Sequence, residues 1–265
     1  SLTDPVWCSP DGKIIAVNND GDGCAVVYDI LTEDEMQTFM RDGHVSSLCI
    51  SPDRKSIALG GAGGVTVYDL STGNEIRTFR MRDETYIHSI CFSPDGRTIA
   101  FGRHFRSITV YDISTGDNIR TFERDHFILS LCFSPNGKTI ALGGDNGRVV
   151  VVYDISTGIE LHSFEREGVV SSICFSPDGK HIAVGGDDKR IIIYSIETLA
   201  VVFSFLSHSV IYSMAYLANH KESDIQDVLA FRSGKCGYVL PIHQYGENVC
   251  SWIHDLFDHD NIDDA

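Results

Sequence analysis

The sequence predicts an all-β protein built from repeated four-stranded units, because three short patterns recur with one period. Ser-Pro pairs begin at Ser9, Ser51, Ser93, Ser134 and Ser176, so that successive pairs are 41 or 42 residues apart. Tyr-Asp pairs begin at Tyr28, Tyr68, Tyr111 and Tyr153, and a fifth position holds Tyr194 followed by Ser195. Ser-Thr-Gly begins at Ser71, Ser114 and Ser156. Patterns that share one spacing indicate internal repeats, each of them one supersecondary unit.

Each unit contains four short predicted strands, which are clearest in the third unit. These strands span residues 86–93, 98–102, 107–113 and 118–122. The turn after the first strand has the composition of a type I turn, because Pro94 fixes φ at its second position, Asp95 tolerates the third and Gly96 closes it. Ser-Thr-Gly supplies the turn before the fourth strand.

The strands within a unit differ in polarity. The first three carry consecutive apolar residues, as in 149–152, and such strands must be covered on both faces. The fourth strand includes Arg77, Arg120 or His162, so we expect it to be an outer, half-exposed edge. Four-stranded antiparallel sheets that pack face to face, with the last strand outermost, are the blades of a β-propeller.

Six repeats are visible, and together they predict a single propeller domain over residues 1–254. The units span about residues 5–40, 45–80, 86–123, 127–165, 169–206 and 210–254. The sixth unit lacks the Ser-Pro turn, and its fourth strand is placed at 249–254. Residues 255–265 are predicted to form an acidic tail. The ring is either six-bladed or derived from a seven-bladed parent that lacks its N-terminal part.

The units resemble WD repeats, with Tyr-Asp at the position where that family usually has Trp-Asp. The resemblance covers residues 5–205 most clearly, and Gly43-His44 matches the Gly-His of the family. In such repeats a His, a Ser or Thr, an Asp and the Trp form a structural hydrogen-bond network. The fourth unit matches that set best, with His126, Thr139, Asp145 and Tyr153. The resemblance implies a scaffold that binds proteins or peptides and has no catalytic activity.

Composition restricts the partners. The formal net charge of −16 argues against nucleic acid and against docking on anionic membranes, both of which favour a basic surface. We expect a cytoplasmic protein, with a nuclear location left open.

The cysteines and the repeated aspartates do not predict a metal site. Five cysteines recur at one position of the unit, namely Cys8, Cys49, Cys91, Cys132 and Cys174. Packed sheets lie about 10 Å apart, farther than the roughly 6 Å that a disulfide spans between Cα atoms, so buried, reduced thiols are expected. One carboxylate per Ser-Pro-Asp-Gly turn cannot converge on a calcium ion. No cofactor and no metal are therefore expected.

The two faces of the predicted propeller differ in their loops. The turn face carries the Ser-Pro-Asp-Gly and Ser-Thr-Gly turns, which are nearly identical from unit to unit. The loop face carries the links between units and the turns between second and third strands. These loops vary and contain many arginines, so we predict that the loop face binds the partner. The residues assigned to that contact are Arg41, Arg82, Arg103, His104, Phe105, Arg106, Arg124, Arg148, Arg166 and Arg190.

Two other functions remain open from the sequence. A phosphoinositide-binding propeller would use a paired-arginine Arg-Arg-Gly motif, whereas 231–234 contains the single Arg232. An enzyme with its site in the central channel would need clustered His, Glu or Asp residues specific to particular blades.

Overall fold

The structure is a computed structural model that describes residues 6–8, 13–19, 23–41, 43–81, 86–103, 107–145, 149–217, 227–233 and 236–242. Within these ranges all regular structure is β, and five four-stranded sheets and one three-stranded sheet follow one another along the chain. The predicted fold class, an all-β chain of four-stranded antiparallel blades, is confirmed. In the same ranges, no helix has the length and apolar character needed to cross a membrane.

The strands of each sheet are hydrogen-bonded in chain order. The first sheet contains β1 (Val6–Cys8), β2 (Ile14–Asn19), β3 (Cys24–Asp29) and β4 (Glu35–Met40). The second contains β5 (Val45–Ile50), β6 (Ser56–Gly61), β7 (Gly64–Asp69) and β8 (Glu75–Arg80). The third contains β9 (Ile87–Phe92), β10 (Thr98–Arg103), β11 (Ser107–Asp112) and β12 (Asn118–Glu123). The fourth contains β13 (Ile128–Phe133), β14 (Thr139–Gly144), β15 (Val149–Asp154) and β16 (Glu160–Glu165).

The fifth sheet contains β17 (Val170–Phe175), β18 (His181–Gly186), β19 (Arg190–Ser195) and β20 (Val201–Leu206). The sixth contains β21 (Ile211–Leu217), β22 (Asp227–Ser233) and β23 (Cys236–Ile242). The predicted fourth strand at 249–254 and the acidic tail at 255–265 lie outside the described residues. The choice between six and seven blades therefore stays a prediction.

The Ser-Pro turn folds as its composition predicts. In the third sheet, Gly96 has φ +69° and its amide donates to the Ser93 carbonyl at 2.9 Å. The Ser93 hydroxyl donates to Asp95 Oδ1 at 2.6 Å, and the Thr98 amide donates to Ser93 Oγ at 3.0 Å. The turn therefore closes its own polar groups at the sheet edge, and this self-sufficiency explains its near identity in successive units.

The Ser-Thr-Gly turn depends on the Asp of the preceding Tyr-Asp pair. Asp69 accepts hydrogen bonds from the Ser71 hydroxyl at 2.7 Å and from the Thr72 amide at 2.8 Å. Hydrogen bonding to the ionised form favours it, led by the bond from Ser71, so the pKa of Asp69 is lowered to about 2. The same contacts around Asp154 lower its pKa to about 2.

The hydrophobic core lies between consecutive sheets. Each of the five core clusters joins residues of two neighbouring sheets, from the first and second to the fifth and sixth. From the second sheet to the fifth, the Tyr at the Tyr-Asp position packs on the Phe of the fourth strand in the preceding sheet. The ring centroids of Phe122 and Tyr153 are 4.8 Å apart, and those of Phe164 and Tyr194 are 4.7 Å apart. The aromatic ring is therefore retained as an intersheet contact although Tyr replaces Trp.

Candidate functional site

Arg41 is the first of the predicted contact residues, and its guanidinium is turned into the protein. The residue directly follows β4, and its Nη2 donates to the Ala62 carbonyl at 2.9 Å, in the turn between β6 and β7. A second bond runs from Nη1 to the His44 carbonyl at 3.3 Å. A Cβ at Gly61 would overlap the guanidinium, so glycine is needed for this close approach. Arg41 therefore joins the first sheet to the loop edge of the second.

Arg166 is more deeply buried still, and its assignment as a partner contact is wrong. Its side chain is 0% exposed and is paired with Asp188, which is 13% exposed. Nη2 also donates to the Arg190 carbonyl at 2.9 Å, whereas Nε and Nη1 are buried without a hydrogen-bond partner among the described residues. A charge that is enclosed in this way cannot meet a partner without unfolding its surroundings. Arg166 therefore links the fourth and fifth sheets.

The predicted network of His126, Thr139, Asp145 and Tyr153 is not formed. Thr139 begins β14 and Asp145 follows its end, so six residues at about 3.3 Å each separate them by about 20 Å. Asp145 Oδ1 instead accepts from the Phe127 amide at 3.1 Å. The Tyr153 hydroxyl accepts from Nη1 of Arg124 at 3.0 Å. Arg124, half-buried and predicted as a partner contact, thus holds the tyrosine that replaces the family's tryptophan.

A histidine lies shortly before each of three first strands, and the sequence spaces these histidines, His44, His126 and His208, at 82 residues. They do not occupy one position of the repeat. His44 is the residue before β5, His126 is two residues before β13 and His208 is three residues before β21. A shared structural or catalytic role would require the same position relative to the strand. Their regular spacing in the sequence therefore does not correspond to one position in the fold.

Several predicted contact residues cannot be placed. Outside the described residues lie Arg82, His104, Phe105, Arg106 and Arg148. Arg103 ends β10, where its backbone pairs with Ile87. Arg190, at the start of β19, is exposed on the loop face, and its amide donates to Asp188 Oδ1 at 3.0 Å.

Further exposed loop-face residues, outside the set predicted to contact the partner, lie at the ends of the fourth strands. The last residue of each is exposed, and the five residues are Met40, Arg80, Glu123, Glu165 and Leu206. The apolar members Met40 and Leu206 are 59% and 60% exposed, and Tyr86 on the same face is 48% exposed. The signal was available, because alternation along a half-exposed strand predicts an outward side chain after the buried Phe.

The cysteines are closer together than the argument from sheet spacing allowed. Among the cysteines whose side chains are described, all are free: Cys24 and Cys49 are buried, and Cys91, Cys132 and Cys174 are half-buried. The Cys91 thiol donates to the Phe92 carbonyl at 3.3 Å, and its interaction with the Cys49 thiol lowers the pKa of Cys91. Burial raises the pKa of Cys174 to about 12. Neighbouring first strands thus converge more than the faces of typical packed sheets.

The turn face contains a second set of arginine contacts. Arg77 in β8 donates from Nε to the Ile113 carbonyl and from Nη2 to the Ser114 carbonyl, each at 2.6 Å. Arg120 in β12 donates from Nε to the Ile155 carbonyl at 3.2 Å and from Nη2 to the Ser156 carbonyl. We call this pair of bonds, from a fourth strand to two carbonyls of the next sheet, the arginine clamp. Sequence reasoning treated these residues simply as an outer edge.

Among the described residues, no group of three His, Cys, Asp or Glu side chains could hold a metal ion. What the geometry defines is a repeat protein of stacked four-stranded sheets, whose two faces differ in what they expose.

A comparison with protein families identifies the repeats. The model of the WD domain, G-beta repeat, matches residues 116–152 and 158–195. Each match starts at the Gly of a Ser-Thr-Gly turn and ends in the third strand of the next sheet, so one matched repeat joins two sheets. The predicted resemblance is confirmed, and the chain contains WD repeats. No curated protein matches the chain in sequence.

Proposed function

We propose that this protein is a non-catalytic scaffold that binds a peptide or protein partner on its loop face, in the cytoplasm. WD repeats point to protein–protein interaction in general. Stacked sheets with closed, self-bonded turns supply a rigid support for such binding. Within the described part of the chain, no cluster of basic or catalytic side chains favours the membrane-binding or the enzymatic alternative.

The observation that carries the choice of face is the variation at one exposed position. The last residue of the fourth strand is apolar in the first and fifth sheets, basic in the second and acidic in the third and fourth. A position that is exposed in every sheet and has no common chemistry is not set by packing. Variable, exposed residues that are held by a rigid, repeated scaffold are typical of binding surfaces.

The structure changes which side chains are proposed to make the contact. Arg41, Arg124 and Arg166 support the loops from within, so we assign them to the framework of the face. The proposed contacts are the exposed Arg80, Tyr86 and Arg190, together with Arg82, Arg103, His104, Phe105, Arg106 and Arg148 as predicted from the sequence. Tyr86 is the best-supported anchor, because an exposed aromatic residue on this face has the chemistry of interface hot spots.

Partner recovery after chemical crosslinking tests this proposal. The variant Arg80→Glu/Arg82→Glu/Tyr86→Ala should lose its crosslinked partners while keeping the thermal unfolding temperature of the wild type. Arg97→Glu is the matched control, since Arg97 is an exposed arginine of the turn face. Unchanged recovery by the triple variant, or equal loss by the control, would remove the loop face from the proposal.

A further inference from the structure

The turn face has two cavities at equivalent positions between neighbouring sheets. One, of about 390 Å³, lies between the third and fourth sheets and is lined in part by Val110, Ile119 and Ile155. The other, of about 380 Å³, lies between the fourth and fifth sheets and is lined by the equivalent Val152, Leu161 and Ile196. Both volumes fall within the roughly 300–1,000 Å³ of typical ligand sites. We call the second cavity the 4–5 groove.

The two cavities differ in the polar groups at their rims. Beside the first, the arginine clamp of Arg120 takes the Ile155 and Ser156 carbonyls. In the 4–5 groove the equivalent position is His162, since Arg120 pairs with Val110 and His162 pairs with Val152. Imidazole is too short to repeat the two bonds of a guanidinium.

Because His162 stands at the clamp position, the two carbonyls of the fifth sheet that a clamp arginine would bind do not receive its hydrogen bonds. These carbonyls belong to Ile196 and Glu197, the residues equivalent to Ile155 and Ser156. Within the described ranges, no side chain donates a hydrogen bond to either carbonyl. Backbone acceptors beside an apolar cavity favour a donor that arrives from outside, because an unpaired acceptor is unfavourable once it is covered.

The lining of the 4–5 groove favours a cation with an apolar neighbour. Val152 and Phe175 form a buried floor, and Leu161, 44% exposed, stands at the mouth. Asp178 is a lining carboxylate, and the lining contains no Lys or Arg. Lys180 and His181 interact with Asp178 electrostatically from outside the lining. The groove thus combines an apolar floor with one carboxylate, whose charge these neighbours offset in part.

We propose that the 4–5 groove binds an arginine-bearing segment of a partner protein, whose guanidinium donates to the Ile196 and Glu197 carbonyls. The bound side chain supplies in trans the clamp that Arg77 and Arg120 supply within the chain. Arginine is specified over lysine because its planar fork donates two bonds in fixed directions, as both internal clamps do. The groove lies on the turn face, so this site is separate from the proposed loop-face function.

Leu199 sets the space available to the bound guanidinium. It occupies the position of Gly158 in the preceding sheet and has φ +59°, where glycine is favoured. A Cβ at Gly158 would lie 3.4 Å from Nη1 of Arg120, whereas a Cβ at the equivalent Gly116 would lie 2.5 Å from Nη1 of Arg77. With Leu199 at this position, a bound guanidinium must therefore shift from the place that the internal arginines occupy. An internal arginine with a fixed Cα has less freedom to adjust than a ligand. Variants that introduce one therefore include Leu199→Gly.

Calorimetric titration of the full chain with the capped peptide acetyl-Leu-Arg-Leu-amide tests the site. We expect saturable one-to-one binding, and binding weaker by about tenfold or more for the peptide with Lys in place of Arg, through the loss of charge-assisted bonds. Compared with the Leu199→Gly control, His162→Arg/Leu199→Gly should bind the arginine peptide at least about tenfold more weakly. The reason is that the introduced arginine forms an internal clamp and occupies the two carbonyls. Arg120→His should add a second site.

Several outcomes would overturn the assignment. These are no saturable binding at millimolar peptide, equal binding of the Lys and Arg peptides, or unchanged affinity in His162→Arg/Leu199→Gly. The last variant adds bonds to the fold, so far-UV circular dichroism and thermal unfolding should show it intact. A failed loop-face experiment would leave these results unaffected, since the two sites lie on opposite faces.

Discussion

The interface between the third and fourth sheets and the interface between the fourth and fifth are built from equivalent strands. Among the described residues, arginine joins the first interface on both faces and the second on the loop face. At the first interface Arg120 clamps the turn face, and Arg124 reaches the Tyr153 hydroxyl on the loop face. At the second, the turn face has His162, and Arg166 is buried with Asp188 on the loop face. The repeats thus share their apolar packing and differ in where the polar link is placed.

This difference distinguishes parts of an interface that stabilise the fold from parts that can bind a ligand. An arginine whose guanidinium is bonded to the neighbouring sheet contributes to stability and is not available to a partner. Where the arginine is missing, backbone acceptors remain for an external ligand. The positions of the arginines on the turn face and the loop face therefore predict where each interface is stabilised and where its backbone carbonyls can bind a ligand.

Removing Arg166 should have the largest effect on stability. Arg166→Ala leaves Asp188 without its partner in a largely buried position, and we expect a loss of about 3 kcal/mol in the free energy of unfolding. Urea denaturation measures this loss. The double variant Arg166→Met/Asp188→Leu removes both charges and should lose clearly less. If Arg166→Ala lowers the free energy of unfolding by less than about 0.5 kcal/mol, as a typical surface substitution does, the pair does not join these sheets.

Removing the clamp at the third and fourth sheets should have a smaller effect. Arg120→Ala gives up two half-exposed charge-assisted bonds, for an expected loss of about 1 kcal/mol. His162→Ala, at the equivalent position one sheet later, should change stability by less than about 0.5 kcal/mol. Equal losses in the two variants would contradict the distinction between the clamped and the open interface.

Leu199→Gly should stabilise the protein. A non-glycine residue at φ +59° is strained, and relief of that strain is worth about 1 kcal/mol. The reciprocal variant Gly158→Leu, at φ +76° in the fourth sheet, should destabilise by a similar amount. Thermal unfolding of the pair checks both signs, and a destabilised Leu199→Gly would show that the leucine side chain makes contacts that outweigh the strain.

Acid should weaken the Ser-Thr-Gly turns more than the turn in the fifth sheet, which has Ser195 in place of Asp. The pKa values of Asp69 and Asp154 are lowered to about 2, so their contribution is complete above the unfolded value near 4 and is lost as pH falls toward 2. Asp69→Asn/Asp154→Asn should flatten the decline of the unfolding temperature between these pH values. An unchanged slope would assign acid sensitivity to other groups.

The fold was predictable because each repeat encodes it locally. The Ser-Pro-Asp-Gly and Ser-Thr-Gly turns are closed by hydrogen bonds from their own side chains and the neighbouring Asp. The consecutive apolar residues of the first three strands indicate that both faces of each sheet are buried. The arginines were harder, since the bonds of Arg166 reach residues more than twenty positions away in another sheet. One signal was present: Arg41, Arg124 and Arg166 all follow a fourth strand directly. A position that is repeated from unit to unit indicates a structural role, for these arginines as for the turns.

The clamp could have been found from the sequence, but the open carbonyls could not. Aligning the fourth strands places His162 against Arg77 and Arg120. Which acceptors those arginines reach depends on the twist and spacing of neighbouring sheets, and the pattern of residue types does not encode these distances.

The free energy of unfolding of four proteins in a Leu199→Gly background tests the central claim that one arginine link can be removed and another added at the same interface. The proteins are the background itself, the same with Arg166→Ala, with His162→Arg, and with both. We predict that Arg166→Ala lowers the free energy of unfolding by about 3 kcal/mol and that His162→Arg raises it by about 1 kcal/mol in either context. No gain from His162→Arg, or no loss from Arg166→Ala, would contradict the account.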